Sequence, residues 1–243
     1  MAAIPARERL IVALDYPEVE PARALVARLG PAISFYKIGL ELAINGGLDF
    51  ARELSGQGKQ VFLDLKLLDI ENTVERATRN AAATGASFLT VHAQDLKTLK
   101  AAVAGKAGTR LRVLAVTVLT NLEAADLRQQ GFAEAPQALV ARRAGLAHAA
   151  GCDGIVAAGR EAAAVRATVG PGIAIVTPGI RLPGEAAGDQ ARVSTPGAAI
   201  LAGADYLVVG RPICAAPEPR RAVDSFLAAI EEALARRSLG PPG

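Results

Sequence analysis

Tryptophan is absent from the sequence, and the aromatic content is limited to six Phe and three Tyr among 243 residues. The formal net charge is +3, but the arginines are spread along the chain in pairs such as Arg142-Arg143 and Arg236-Arg237. Proteins that bind single-stranded nucleic acid stack the bases on aromatic rings beside a continuous basic surface. The composition therefore argues against a nucleic-acid partner.

Cysteine and histidine are also scarce, with two residues of each type. Cys152 and Cys214 fit no Cys-x-x-Cys pattern, so they predict two reduced, buried thiols rather than a disulfide framework. A metal site needs several converging His, Asp or Glu ligands, and the two histidines are far apart in the sequence. A catalytic metal is not expected, although the carboxylates of Asp64 and Asp69 keep a metal site as an alternative.

The sequence also lacks an apolar run long enough to span a membrane. Its first residues, MAAIPARERLIVALD, place Arg and Glu before a short apolar run that Asp15 ends. This order does not fit a signal peptide. We therefore expect a cytoplasmic protein with no membrane partner.

What the sequence does contain is eight short apolar, β-branched-rich runs separated by segments with helical periodicity. This alternation predicts βα units and a parallel sheet. Eight units at this length favour a closed (β/α)8 TIM barrel over an open doubly wound sheet. We expect one domain over residues 1–243, with 238–243 as a loose tail. The predicted strands are RLIVALD ending at Asp15, FYKIG around Lys37, VFLDLK to Lys66, SFLTVHA to His92, LRVLAVTVL to Leu119, GIVAAG near Val156, IAIVTPGI near Val176 and DYLVVG to Gly210.

Two helices can be predicted from specific residues. Asn72, followed three residues later by Glu75, predicts a helix N-terminus that Asn72 caps. The last helix is predicted from an apolar stripe with helical spacing. Its members are Val223, Phe226, Leu227, Ile230 and Leu234.

Charged residues gather where the predicted strands end, which is the end of a barrel that carries the chemistry. Side chains alternate along a strand, so in VFLDLK the side chains of Asp64 and Lys66 are predicted to point toward the barrel axis, on the same face as Phe62. A buried ion pair alone is weak evidence for function. With Asp15, Lys37 and Asp69 added, however, the cluster predicts an arranged electrostatic field.

The segments after the seventh and eighth strands, TPGIRLPGEAAGDQARVSTPG and VVGRPI, predict a phosphate site, since barrels often bind phosphate there. Gly210 would allow close backbone approach and Arg211 would supply charge. The long segment from Arg181 to Ser194 is interpreted as a lid over the phosphate, with Arg181 and Gln190 as candidate contacts.

With these residues in view, DLKLLDIENTV resembles the signature of the orotidine 5′-phosphate decarboxylase family, Asp-x-Lys-x-x-Asp-Ile-x-Asn-Thr-Val. The segments VALDYPE, YKIG, TVHA, VLTNL, TPGIR, GDQ-x-R and VVGRPI follow in the order that this family has them. The resemblance implies loss of carbon dioxide from orotidine 5′-phosphate to give uridine 5′-phosphate, the last step of pyrimidine nucleotide synthesis. It also implies that neither a cofactor nor a metal is used.

The resemblance assigns roles to most of the matching residues. It implies that Lys66 donates the proton that replaces the carboxylate, that Asp64 lies against that carboxylate, and that Lys37, Asp64, Lys66 and Asp69 form an alternating charged array. His92 matches a recurrent family position without an assigned role. The implied substrate contacts are Asp15 and Lys37 with the ribose hydroxyls, Thr120 with the pyrimidine, Pro178 near the base, and Arg181, Gln190, Gly210 and Arg211 with the phosphate and lid.

The family also shares its active sites between two subunits. By resemblance, Asp69, Ile70 and Thr73 reach into the site of the neighbouring subunit, which implies a homodimer. The chain departs from the family pattern at Leu68, where His or an aromatic is common, and at Glu71, where Pro or Gly is frequent. These departures bear on loop geometry and dimer packing.

Two other functions stay open. Related barrels share an Asp-x-Lys-x-x-Asp element but bind magnesium and act on sugar phosphates, a function against which Ile70, Asn72, Thr73 and Gln190 argue. The second is a non-catalytic barrel that only binds a nucleotide. An intact charged array argues against it, since a retired site would be free to lose Lys66.

Overall fold

Eight parallel strands pair in sequence order, and the last pairs with the first to close a barrel. The computed structural model describes residues 4–185 and 193–238. Each predicted apolar run contains one strand, and the predicted (β/α)8 TIM barrel is confirmed. The strands are β1 Leu10–Ala13, β2 Phe35–Gly39, β3 Gln60–Leu67, β4 Phe88–His92, β5 Arg112–Val116, β6 Gly154–Val156, β7 Ala174–Thr177 and β8 Tyr206–Val209.

Helices alternate with the strands and surround the barrel. The last of them buries the predicted apolar stripe: Val223, Phe226 and Ile230 are buried, and Leu227 and Leu234 pack against the core. Two 3₁₀ turns, Gly30–Ala32 and Gly159–Glu161, and a kinked segment, Ala43–Gly47, join the elements. The helices are α1 Ala6–Arg9, α2 Val19–Leu29, α3 Leu40–Leu42, α4 Leu48–Gly56, α5 Glu71–Ala83, α6 Leu96–Gly105, α7 Ala124–Gln129, α8 Pro136–Ala150, α9 Ala162–Val169, α10 Pro196–Leu201, α11 Arg211–Cys214 and α12 Pro219–Ser238.

Aromatic side chains fill the barrel interior at the end where the strands begin. The rings of Phe35 and Phe88 meet edge to face with centroids 4.9 Å apart, and those of Phe88 and Tyr206 with centroids 5.1 Å apart. All three residues are the first in their strands. This packing closes one end of the barrel, which leaves the carboxyl ends of the strands as the place for a site.

Side chains of β3 alternate as predicted. Val61 and Leu63 belong to the apolar core between the strands and the helices, whereas Phe62 belongs to the cluster inside the barrel. Asp64 and Lys66 follow Phe62 at alternate positions and line the cavity at the open end. The strand therefore separates an apolar outer face from an inner face that becomes polar at the open end of the barrel.

Some predicted boundaries need correction. The helix expected to begin with an Asn72 cap begins instead at Glu71, because Ile70 has the extended backbone of the N-cap and makes no side-chain cap bond. Asn72 is thus inside the first turn. The first and fifth strands end at Ala13 and Val116, so the last residues of both predicted runs lie in loops.

No helix in residues 4–185 or 193–238 is both long enough and apolar enough to cross a membrane. At the end of the chain, Ser238 is the last residue of α12, and the rest of the predicted tail lies outside the described residues.

Candidate active site

A cavity of about 480 Å³ opens at the carboxyl ends of the strands. Its polar lining comes from the ends of β1, β2 and β3 on one side and from the segments after β5, β7 and β8 on the other. The predicted site residues that line it are Asp15, Lys37, Asp64, Lys66, Thr120, Pro178, Arg181, Gly210 and Arg211. Residues far apart in the sequence are therefore brought to one place by the closure of the barrel.

Four of these side chains form a continuous chain of alternating charge. Lys37 Nζ lies 2.8 Å from Asp15 Oδ1 and 3.6 Å from Asp64 Oδ2, and Lys66 Nζ lies 2.9 Å from the same Asp64 oxygen. The side chain of Lys37 is 9% exposed and that of Asp64 15%, whereas Asp15 is 56% exposed at the cavity mouth. Asp64 is therefore the carboxylate that two ammonium groups share.

Electrostatic contacts keep the buried members of this chain ionised. Burial acts to lower the pKa of Lys37, but the carboxylates of Asp64 and Asp15 outweigh it and the pKa is raised. Burial acts in the opposite direction on Asp64, where Lys37, Lys66 and a hydrogen bond from Thr90 hold the pKa below its ordinary value. Lys37 and Asp64 thus carry fixed charges at neutral pH.

The backbone departs from a regular ladder at the same point. Leu63 pairs with Leu89 of β4 and Leu67 pairs with Val91, so four steps along β3 match two along β4. Lys66 lies in this bulge with φ +50°, and it is the only non-glycine residue with positive φ within the described ranges. Such a conformation is strained for a residue with a Cβ, and bulges beside active sites re-aim side chains.

Thr90 is a neighbour of the array that the sequence pattern did not indicate as functional. Its Oγ1 accepts a hydrogen bond from the Lys66 backbone N–H at 2.9 Å and donates one to Asp64 Oδ1 at 2.9 Å. The available signal was alternation along β4, which puts Thr90 on the same face as the interior residue Phe88 and next to β3.

Gly39 is a second residue of the site that the sequence pattern does not single out. It ends β2 and lines the cavity. A Cβ atom at this position would lie 3.0 Å from Lys37 Nζ and 3.3 Å from Asp15 Oδ1. A larger residue would therefore displace the two ends of that ion pair.

The predicted phosphate residues lie across the cavity from Lys66. Arg181 is buried and its Nη1 donates to the carbonyl oxygen of Ile180, while Arg211 is exposed at the cavity wall. The two ends of the predicted lid are joined: Arg181 N donates to Ser194 O at 3.0 Å, and Ser194 N donates to Gly179 O at 3.2 Å. Gln190 lies outside the described residues, and the lid itself stays a prediction.

Asp69, Ile70 and Thr73 do not line this cavity. All three are exposed, and Ile70 is 73% exposed. Asp69 and Ile70 border a separate, shallower depression with Leu68, Glu71, Asp95, Lys97 and Thr98. Within one chain they are therefore apart from the array of Asp15, Lys37, Asp64 and Lys66.

Burial shifts the pKa of His92 and of both cysteines. Burial, followed by the charges of Lys66 and Arg143, lowers the pKa of His92. Cys152 is buried and Cys214 is half-buried, and burial raises the pKa of each thiol to about 12. Across residues 4–185 and 193–238 there is no group of three or more His, Cys, Asp or Glu residues that could hold a metal ion.

Comparison with known proteins places this geometry in a family. The family model described as "Orotidine 5′-phosphate decarboxylase / HUMPS family" matches residues 8–226. The chain is 55% identical over 224 residues to orotidine 5′-phosphate decarboxylase of Afipia carboxidovorans, which covers 92% of this chain and 95% of that protein. It is 56% identical over 225 residues to the enzyme of the same name from Methylorubrum populi, at 93% and 96% coverage.

Solved structures show the same likeness. The crystal structure of orotidine 5′-phosphate decarboxylase from Lactobacillus acidophilus superposes with a TM-score of 0.81 at 34% identity and covers 91% of this chain and 98% of that one. An uncharacterised conserved protein from Geobacillus kaustophilus superposes with a TM-score of 0.79 at 32% identity, covering 91% and 99%.

Proposed function

We propose that this chain, which belongs to the orotidine 5′-phosphate decarboxylase / HUMPS family, converts orotidine 5′-phosphate to uridine 5′-phosphate and carbon dioxide. This carboxy-lyase reaction is the last step of de novo pyrimidine nucleotide synthesis. The observation that carries the proposal is the array of Asp15, Lys37, Asp64 and Lys66 on the wall of one cavity. The reaction uses neither a metal nor a cofactor.

Lys66 is the proposed proton donor. Loss of carbon dioxide leaves an electron pair on a ring carbon, so catalysis requires a group that favours this charge more than the charge of the bound carboxylate. An ammonium group at Lys66 attracts the developing carbanion and then transfers a proton to it. The 2.9 Å contact with Asp64 supports this role, since it holds the ammonium group at the cavity wall.

Asp64 is the proposed neighbour of the substrate carboxylate. Its low pKa keeps it ionised, so a carboxylate bound beside it meets a like charge that disappears when carbon dioxide leaves. Lys37 balances this charge from the other side at 3.6 Å. The array therefore favours the transition state over the bound substrate.

The remaining cavity residues are proposed to bind the rest of the substrate. Asp15 and Lys37 form an ion pair near the mouth that suits ribose hydroxyl groups. Thr120 and Pro178, which line the cavity from the segments after β5 and β7, are proposed to contact the base. Arg181, Gly210 and Arg211, with Gln190 from the lid, are proposed to bind the phosphate through charge and backbone N–H groups.

The test of the reaction is turnover in the presence of a chelator. We expect the purified protein to consume orotidine 5′-phosphate, followed by its ultraviolet absorbance, at the same rate with and without excess EDTA. Activity that stops on chelation and returns with magnesium would instead support the magnesium-dependent sugar-phosphate chemistry. Binding of uridine 5′-phosphate without any turnover of orotidine 5′-phosphate would support the non-catalytic barrel.

A homodimer with shared active sites is also proposed. Asp69, Ile70 and Thr73 would complete the site of the partner subunit, with Asp69 as the fourth member of the catalytic array Lys37, Asp64, Lys66 and Asp69. Their exposure and their distance from the cavity of their own chain support this arrangement. Exposed apolar side chains at Leu68 and Ile70 would be covered in the dimer.

Mixed dimers test the sharing directly. We expect Lys66→Ala and Asp69→Ala homodimers to be nearly inactive. A Lys66→Ala chain and an Asp69→Ala chain can be co-expressed with different tags and purified through both tags. If the sites are shared, each mixed dimer carries both substitutions in one site and none in the other. The mixed dimer should then have about half the activity of the wild type, because one of two equivalent sites is intact.

A second mixed dimer, with both substitutions in residues of the same cavity, is the control for this experiment. Mixed dimers of Lys66→Ala with Asp64→Ala carry one substitution in each site, since both residues belong to the same cavity. These dimers should stay inactive. No recovery with Asp69→Ala would argue that Asp69 acts within its own subunit, whereas recovery in this control would show that the mixed-dimer assay does not report the composition of each site.

A further inference from the structure

Thr90 is buried behind the charged array and is not part of the cavity lining. It is the middle residue of β4, whose backbone pairs regularly with β5 through Thr90 and Leu114. Its hydroxyl group points to the other neighbour, β3. There the one oxygen atom accepts from Lys66 N and donates to Asp64 Oδ1, both at 2.9 Å.

This hydroxyl group lies at the point where the β3–β4 ladder is interrupted. Between the pairs Leu63–Leu89 and Leu67–Val91, the bulged strand carries Asp64 and Lys66 opposite Thr90. A regular ladder would offer a backbone carbonyl to the Lys66 N–H, but here the acceptor is a side chain. The hydrogen bond therefore supports the left-handed backbone of Lys66, which would otherwise be strained.

The second hydrogen bond fixes the neighbouring carboxylate. With Oδ1 of Asp64 held by Thr90, Oδ2 is the oxygen directed at Lys37 and Lys66. A rotation of this carboxylate would change both contacts at once. One buried hydroxyl group thus constrains the backbone of one charged residue and the side chain of the other.

We propose that Thr90 is a positioning residue for decarboxylation, which sets the relative geometry of Asp64 and Lys66 without touching the substrate. This inference rests on the proposed function. It predicts an effect on the chemical step rather than on substrate binding, because the residues proposed to bind ribose, base and phosphate lie on other strands and loops.

The test compares variants that separate the hydroxyl group from the shape of the side chain. Thr90→Val keeps the shape and removes the hydroxyl group, and Thr90→Ser keeps the hydroxyl group. The matched control is Thr177→Val, because Thr177 is a buried threonine at the end of β7 whose Oγ1 has no hydrogen-bond partner in the described part of the chain. Thermal unfolding and the Kd of uridine 5′-phosphate show that each variant is folded.

We expect Thr90→Val to lower kcat by about 10- to 100-fold, the effect of losing hydrogen bonds to charged and reacting groups, with KM changed less than about threefold. Thr90→Ser should recover most of kcat, and Thr177→Val should match the wild type. Equal kcat in Thr90→Val and Thr177→Val would overturn the inference. A loss that Thr90→Ser does not recover, or that appears equally in KM, would also overturn it.

Crystal structures of the wild type and Thr90→Val separate this inference from the proposed function. If the wild type has no decarboxylase activity, the proposed function fails, but the positioning role can still be read from the Asp64–Lys66 contact. We expect that contact to lengthen, or the Lys66 backbone to leave its left-handed conformation, in Thr90→Val. If the wild type is inactive and Thr90→Val has the same Asp64–Lys66 contact and the same Lys66 backbone as the wild type, the inference is overturned whatever the function of the protein.

Discussion

Replacing Lys66 by alanine should lower kcat for orotidine 5′-phosphate by about 10⁴-fold or more. The substitution removes the proposed general acid, which accounts for roughly 10²- to 10⁴-fold, and also the cation nearest the developing carbanion. It leaves Asp64 with Lys37, at 3.6 Å, as its remaining ammonium contact. The measurement is loss of substrate absorbance in single-turnover and steady-state experiments.

Two further variants separate the charge of Lys66 from its proton. Lys66→Arg keeps a cation at the bulge, but a guanidinium group does not release its proton near neutral pH. We expect this variant to stay at least about 100-fold below the wild type. Lys100→Ala removes an exposed lysine of α6 and should be fully active. A Lys66→Arg variant as fast as the wild type would show that positive charge alone is sufficient.

The barrel could be predicted from the sequence because its signals are local. Each strand is an apolar run of period two or a continuous buried run, and helices such as α12 have an apolar stripe, so the count of eight units follows without long-range information. The errors are at element ends. Asn72 resembled a cap by residue type, whereas the chain conformation at Ile70 decides where the helix begins.

The candidate site was predictable to the extent that strand alternation determines it. Alternation placed Asp64 and Lys66 inside the barrel, and closure of the barrel brought Asp15 and Lys37 to them. Thr90 could not be singled out in this way, because a threonine within an apolar strand is ordinary. Its contacts depend on a register shift between two strands, which is a tertiary property.

The phosphate should matter to the chemical step although it lies far from the reacting carbon. Orotidine, which lacks the phosphate, is expected to react with kcat/KM lower by roughly 10²- to 10⁴-fold. The two proposed charge-assisted contacts, from Arg181 and Arg211, would contribute about 1.5–3 kcal/mol each, and about 1.4 kcal/mol corresponds to a tenfold change in rate. Binding energy of this kind orders the site and thereby raises kcat. Both substrates are compared by single-turnover absorbance.

A variant at the phosphate end shows whether the loss comes from the predicted contact. Arg211→Ala should lower kcat/KM for orotidine 5′-phosphate by about 10- to 100-fold but leave the slow reaction of orotidine nearly unchanged, because that substrate has no group for Arg211 to bind. Arg110→Ala, at an exposed arginine outside the cavity, serves as the control for loss of charge. Equal losses on both substrates would mean that Arg211 supports the fold of the site rather than the phosphate, and normal turnover of orotidine would contradict any role of the phosphate in ordering the charged array.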